Sequence, residues 1–412
     1  MNIYFWIIVI TIIINYTIDL IADYLNLKNL DPNLPDDFKD IYDESTYKKS
    51  QEYTRTKTKF AFIVSTFNLI ILFTFWFSKG FNYLDIFLRQ YFNNEIILGI
   101  SFIGILILLN SLINLPFTIY SIFVIEEKFG FNKTTPKVFI TDILKSLGLS
   151  IIIGIPLLAL ILYLFNELGQ YAWLYAWITV TLFTLILQYI APRWIMPLFN
   201  KFLPLQDGEL KSEIINYAKS VNFPLQNVYV MDGSKRSTKS NAFFTGFGKN
   251  KKIALFDTLI EKHSIPELIS ILAHEIGHYK KKHIIQAMLI NILQTGIIFY
   301  LISIFTKTPA LFQAFFMENY SIYSGLIFFG MLYSSIDTIL SIFMNILSRK
   351  NEYEADRFAI ETTKNKIDFI NALKKLSKDN LSNLTPHPFY AFINYSHPTI
   401  LQRIKKIINL NK

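Results

Sequence analysis

Seven stretches of this sequence are apolar, almost free of charge and roughly 20 residues long, the length a helix needs to cross a bilayer. They lie at about 3–20, 60–78, 96–124, 144–165, 171–191, 284–306 and 323–347. In lipid every backbone N–H and C=O must find a partner inside the segment or in a closed barrel, so runs of this length read as helices. No positive charge precedes the first run and no small-residue cleavage site follows it, which predicts a retained span rather than a removed leader. The third run is long and contains Pro116, so a tilt or kink is expected there.

The Lys and Arg distribution tests the count of seven. With seven spans, segments 79–95, 166–170 and 307–322 share a side with the N-terminus. They hold only Lys79, Arg89 and Lys307 of the 40 basic residues. Basic residues collect on the cytosolic side, so the N-terminus is expected outside and the large polar segments and the C-terminus in the cytosol. The same asymmetry accounts for the net charge of +9, so no nucleic-acid partner is called for. The bilayer is one partner; the oligomeric state is not legible. Cysteine is absent, so a metal here must be held by His, Asp or Glu.

Between the fifth and sixth spans lies a polar insert of roughly 90 residues. Residues 208–221 predict a helix with Leu210, Ile214, Ile215, Ala218 and Val221 on one face. Val228 and Val230 alternate in a short strand. Ala242 to Phe247 and Lys252 to Phe256 predict a hairpin around Gly248-Lys249-Asn250. Ser264 and Glu267 form a capping box with Pro266 in the first turn, so a helix opens there. No breaker follows before Gly296, and this helix is expected to run straight into the sixth span.

That helix carries His274-Glu275-Ile276-Gly277-His278. Two histidines four residues apart share one helix face, which suits two ligands of a tetrahedral zinc ion. Glu275, next to the first histidine, can reach a water on the open side of such a metal and take its proton. A third protein ligand is still needed. The sixth and seventh spans run in opposite directions, with His278 just before one and Glu352 just after the other. Both therefore sit within roughly 10 Å of the same membrane face. This level placement does not choose among Glu352, Glu354 and Asp356. His283, beside Lys280, Lys281 and Lys282, reads as a membrane-interface residue. No chemistry is assigned to His263 or His387.

The pairing of His274-Glu275-Ile276-Gly277-His278 with Asn351-Glu352-Tyr353-Glu354-Ala355-Asp356 resembles the type I CAAX prenyl proteases, which are integral-membrane gluzincins. Ser240-Asn241-Ala242-Phe243-Phe244, Leu255-Phe256-Asp257-Thr258-Leu259 and Tyr395-Ser396-His397-Pro398, with Arg403 beyond, match as well. The resemblance implies that Glu352 is the third zinc ligand and that Asp356, one turn later, steadies a ligand histidine. It implies that Asn241 contacts the substrate backbone, beside a strand able to pair with an extended peptide. His397 and Arg403 are implied as polar groups that steady the tetrahedral intermediate or the peptide.

The expected fold is mostly α, with seven transmembrane helices around a chamber and a small cytosolic α+β insert. Residues 1–198 would form a five-span membrane region and 199–412 a metalloprotease region that includes the last two spans. The expected activity is zinc-dependent endoproteolysis with one zinc ion, on a peptide or protein substrate, such as a prenylated CAAX C-terminus losing its last three residues. The expected location is the endoplasmic reticulum membrane in a eukaryote, or the inner membrane in a prokaryote. The nearest alternative is a quality-control protease of the HtpX kind, which is shorter with fewer spans. A seven-span transporter or receptor with a non-catalytic metal site leaves the acidic cluster and the strand at Asn241 without a role.

Overall fold

The computed structural model describes residues 1–245 and 251–411. The chain opens with α1 (Ile3–Lys28), a span whose first turn is closed by the Asn2 side chain accepting from Phe5 N–H at 3.1 Å. Helix α2 (Glu44–Phe77) starts on Asp43, which accepts from Thr46 N–H at 2.8 Å. Its charged first half and apolar second half form one continuous helix, so the predicted second span is only its end. Next come α3 (Gly80–Arg89) and α4 (Glu95–Tyr120). Pro116 lies inside α4, and a π-helical stretch, Ser121–Glu126, follows. A proline in a helix removes one backbone donor, here leaving the Leu112 carbonyl without its usual partner.

Helices α5 (Pro136–Leu149) and α6 (Ile155–Glu167) join through a second π stretch into one span. Helix α7 (Ala172–Ile190) likewise continues through Ala191–Ile195 into α8 (Met196–Phe199). The most apolar windows of the six unbent spans bury only 6–17% of their residues within the protein, leaving much apolar surface for lipid.

The polar insert builds a four-stranded sheet of order β1-β2-β4-β3. Strand β1 (Phe202–Pro204), absent from the sequence reading, pairs antiparallel with β2 (Leu225–Met231). Between them lies α9 (Glu209–Ser220), which buries Ile214, Tyr217 and Ala218 from the apolar side of the predicted helix. Strands β3 (Ala242–Thr245) and β4 (Lys251–Phe256) form the antiparallel pair expected there, and β4 runs parallel to β2. The predicted turn at Gly248-Lys249-Asn250 and the end of its first strand lie outside the described residues. Strand β3 is the edge of the sheet.

After α10 (Asp257–Lys262) comes α11 (Ile265–Lys280), opened by Ser264 N–H donating to Glu267 at 2.8 Å. Leu268, Ile271, Leu272, Ala273 and Ile276 make α11 the centre of the core outside the spans. Here the structure corrects the sequence reading: α11 does not continue into the sixth span. It ends at Lys281 and Lys282, with Lys282 left-handed at φ 60°, and α12 (His283–Phe305) begins on a new axis. A lysine carries the positive φ where a glycine is the usual signal, so no residue type announced the break.

Helix α13 (Pro309–Ala314) packs at the other end of the bundle, where Trp76 stacks on Phe315 at 4.4 Å and donates to the Ala314 carbonyl at 2.9 Å. Helix α14 (Ile322–Thr363) is the seventh span, bent by 55° between Ile322–Ser334 and Ile336–Thr363. It then runs on past the membrane alongside α11. A Cβ on Gly277 would lie 3.1 Å from both Cα and O of Ala355, so the two backbones touch at that glycine. Helices α15 (Lys366–Asp379) and α17 (Ile400–Ile408) complete the core around α11, while α16 (Pro388–Asn394) packs against α1 and α14.

Candidate active site

The contact at Gly277 sets two helices at the distance the site needs. His274 and His278 project from α11 with their Nε2 atoms 3.1 Å apart. Glu352 on α14 meets both, with Oε2 3.3 Å from His274 Nε2 and Oε1 3.3 Å from His278 Nε2. These are the three side chains, among the described residues, whose ligand atoms gather tightly enough to hold one metal ion. The alternatives left open by the sequence separate here. Glu354 points away and meets His283 Nε2 at 3.2 Å, while Asp356 lies behind His274.

Asp356 Oδ1 stands 2.8 Å from His274 Nδ1. A proton on Nδ1 is donated to that carboxylate, which leaves Nε2 as a lone pair facing His278 and Glu352. Arg403 on α17 grips Asp356 with two charge-assisted bonds, one of them 2.9 Å from Nε to Oδ2. Its Nη1 lies 3.8 Å from Glu352. Arg403 and Asp356 are both buried, so the ion pair is shielded from solvent.

His397 sits in the turn before α17, exposed, with Nε2 3.3 Å from Glu352 Oε1 and Nδ1 against the Ser396 hydroxyl at 2.9 Å. Arg349 on α14 ties this turn down by donating to the Tyr395 carbonyl at 2.6 Å. Asn241, Glu275 and His397 line one cavity of about 260 Å³ with the two metal-facing histidines, Glu352 and Arg403. Asn241 lies at the start of the edge strand, and its carbonyl accepts from Phe256 N–H at 3.1 Å.

The electrostatics favour a divalent cation. In this cluster Glu275, Glu352 and Asp356 are opposed by one guanidinium, so neutral imidazoles leave two uncompensated negative charges. Glu352 Oε2 is buried without a hydrogen-bond partner. A buried orphan carboxylate oxygen is costly unless a cation meets it. In the protein alone burial opposes the charged form of His274, but Asp356 and Glu352 outweigh it and push its pKa up to about 9. Burial likewise works against an ionised Glu352, yet the two histidines hold its carboxyl well below the usual range. The acceptor set of two imidazoles and a carboxylate suits zinc, which commonly takes three protein ligands at catalytic sites.

His283, read from the sequence as a membrane-interface residue, is the first residue of the sixth span but is buried, and its Nδ1 lies 3.0 Å from His278 Nδ1, a contact the sequence reading missed. The only signal was its spacing of five from His278, which on a continuous helix points about 140° away.

Comparison with known proteins agrees over the whole length. Residues 23–201 match the family model for the CAAX prenyl protease N-terminal region with five membrane helices, and residues 204–411 match peptidase family M48. The chain belongs to the CAAX prenyl protease family. CAAX prenyl protease 1 of Saccharomyces cerevisiae is 36% identical over 399 residues, covering 90% of this chain and 87% of that protein. The Homo sapiens homologue is 34% identical, covering 91% and 88%. The crystal structure of S. mikatae Ste24p superposes with a TM-score of 0.93 at 34% identity, covering 99% of both chains. As a CAAX-protease-family member of peptidase family M48, the protein is a multi-pass membrane metalloendopeptidase.

Proposed function

We propose that this protein is a zinc endopeptidase that releases the C-terminal tripeptide from prenylated CAAX proteins at the cytosolic face of its membrane. The observation that carries the reading is the meeting of His274, His278 and Glu352 in a cavity shared with Glu275, in a chain similar along its length to CAAX prenyl proteases. His274, His278 and Glu352 hold the ion. Zinc bound there supplies a Lewis acid that polarises the scissile carbonyl and acidifies a water.

The chain's own groups do the rest. Glu275 takes the proton from the attacking water as its oxygen bonds to the carbonyl carbon, then hands that proton to the leaving amide nitrogen as the C–N bond breaks. Burial pushes the Glu275 carboxyl up from the ordinary glutamate range, which makes it a better acceptor. An extended peptide adds to the free edge of β3, with Asn241 fixing its backbone beside Glu275. His397, exposed at the cavity, donates to the developing oxyanion. Arg403 acts on the site through its grip on Asp356 and its proximity to Glu352.

The similarity over 99% of both chains to the crystal structure of S. mikatae Ste24p supports a like arrangement of the spans around a chamber that admits a lipid-bearing tail. The five-span part is residues 1–198 and the metalloprotease part 199–412. The basic-residue asymmetry supports a cytosolic site, at the endoplasmic reticulum membrane in a eukaryotic cell or the inner membrane in a prokaryotic one.

The test is cleavage of a farnesylated CAAX peptide by the purified, detergent-solubilised protein beside Glu275→Ala. Release of the tripeptide by the wild type alone, stopped by a chelator and restored by zinc, supports the reading. No cleavage by a zinc-loaded wild type removes the CAAX substrate and keeps the metal site.

A further inference from the structure

We propose that His283 and Glu354 form a hydrogen-bonded relay that fixes the tautomer and orientation of His278, making His283 a positioning residue for the metal site. The inference rests on the reading of His274, His278 and Glu352 as ligands.

The two candidate ligand histidines present the same problem. Each must offer Nε2 as a lone pair to the metal, so each must carry its proton on Nδ1 and spend it on an acceptor. For His274 that acceptor is the Asp356 carboxylate at 2.8 Å. For His278 no carboxylate among the described residues is in that position. Its Nδ1 instead faces His283 Nδ1 at 3.0 Å, and His283 Nε2 faces Glu354 Oε2 at 3.2 Å.

One assignment of protons satisfies all three groups. His278 Nδ1–H donates to His283 Nδ1, and His283 Nε2–H donates to Glu354. A neutral His283 is the ring that can do both, because imidazole offers one acceptor and one donor on opposite sides. The carboxylate end selects the tautomer of His283, and His283 then selects that of His278. His283 is not itself a ligand, since its near nitrogen lies on the far side of the His278 ring from Glu352.

The backbone is shaped for this contact. Lys281 N–H closes α11 on the Gly277 carbonyl at 2.9 Å and Lys282 N–H on Tyr279 at 3.0 Å. Lys282 then takes φ 60°, which breaks the helix and turns the chain so that the His283 ring lies beside that of His278. His283 is only 6% exposed, so water does not compete freely for its ring. Glu354, on α14 two residues after Glu352, supplies the outer end of the relay from the same helix that supplies the third ligand. Lys350 lies 3.9 Å from its other oxygen.

The experiment measures zinc affinity of the full-length protein in detergent by competition with a chromophoric chelator, with cobalt(II) absorption as a readout of ligand geometry. His283→Leu is expected to weaken zinc binding about 10- to 100-fold and to alter the cobalt spectrum. His283→Gln, whose amide can accept from His278 and donate to Glu354, is expected to stay close to wild type. Glu354→Ala, at the exposed end, is expected to lose less in the same direction. Unchanged affinity in His283→Leu overturns the relay, as does a glutamine variant as weak as the leucine one. If His283→Leu does not fold, unchanged affinity in Glu354→Ala overturns it. A wild type that binds no zinc, or whose binding survives His278→Ala, removes the ligand assignment itself.

Discussion

Asp356 Oδ1 lies 2.8 Å from His274 Nδ1, on the side of the ring that faces away from Glu352. One buried carboxylate therefore serves both His274 and the Arg403 guanidinium. Asp356→Asn weakens both. An amide accepts less strongly from Nδ1–H, and metal affinity is expected to fall about 10- to 100-fold. It also takes from Arg403 its two-bond partner and leaves Glu352, 3.8 Å away, as the nearest counter-charge, which costs about 3 kcal/mol of stability, the low end for a broken buried pair. Chelator competition and thermal unfolding of the metal-free protein separate the two effects. Wild-type affinity in a folded Asp356→Asn protein would show that His274 needs no such partner.

Glu275 sits one residue from a ligand but is not among the three groups that could hold an ion. Glu275→Gln keeps the shape and removes the base. Turnover of a farnesylated peptide is expected to drop about 10²- to 10⁴-fold while bound zinc, measured by elemental analysis, stays at the wild-type level. Loss of zinc together with activity would make Glu275 a ligand and leave the base unassigned.

How far the sequence reached depends on what kind of signal each feature has. The spans were legible because lipid imposes a length and a composition on every one of them. His274, Glu275 and His278 were legible because one helix carries all three at a fixed spacing. Glu352 could be placed level with them by topology, but only the α11–α14 contact separated it from Glu354, two residues on and turned toward His283. Strand β1 was missed because three residues, one of them Pro204, carry no period. The break at Lys282 was missed because a lysine, not a glycine, takes the positive φ there, and the contact of His283 with His278 was missed with it.

Gly277 is the residue that lets α11 and α14 meet, since a Cβ there would lie 3.1 Å from the Ala355 backbone. Alanine in a helix gains about 1 kcal/mol over glycine in intrinsic propensity. Forcing two packed backbones apart costs about 1–3 kcal/mol, and backbone atoms cannot swing aside as a side chain can. The steric term wins. Gly277→Ala is expected to be destabilised by about 1 kcal/mol net and to bind zinc more weakly, because the displacement falls between the helix of the histidines and the helix of Glu352. Denaturation of the metal-free form and zinc competition test the two halves, and a more stable variant would mean that the helices yield freely.

At the opposite end of the bundle, Asp85 is fully buried and is met by Arg89, Tyr323 and Asn319. Arg89 also bonds the Ser321 hydroxyl at 2.6 Å, so it ties α3 to the start of the seventh span. Arg89→Met leaves the carboxylate without its cation and is expected to cost about 3 kcal/mol, the low end for a buried pair because Arg89 itself is partly exposed. The length of α12, 23 residues, separates this cluster from the metal site by about 30 Å. The thermal midpoint in detergent is expected to fall while the turnover of the protein that remains folded is unchanged. A lower turnover with an unchanged midpoint would mean that this end of the bundle is coupled to catalysis.

The orientation in the membrane can be read directly because the chain has no cysteine of its own. Asn93, in the exposed loop before α4, shares a side with the N-terminus in the seven-span arrangement, and Glu213 lies exposed on α9 in the insert that carries the site. Asn2 donates to the Ala310 carbonyl at 2.6 Å, so the chain start and the segment before the seventh span lie at one end of the bundle. Both should therefore be screened from the cytosol if basic residues mark the cytosolic side. In sealed microsomes, whose outer face is cytosolic, a membrane-impermeant maleimide is expected to label Glu213→Cys at once and Asn93→Cys only after detergent. The reverse pattern would put the site in the lumen, away from any prenylated protein made in the cytosol, and would end the CAAX assignment even with the metal chemistry intact.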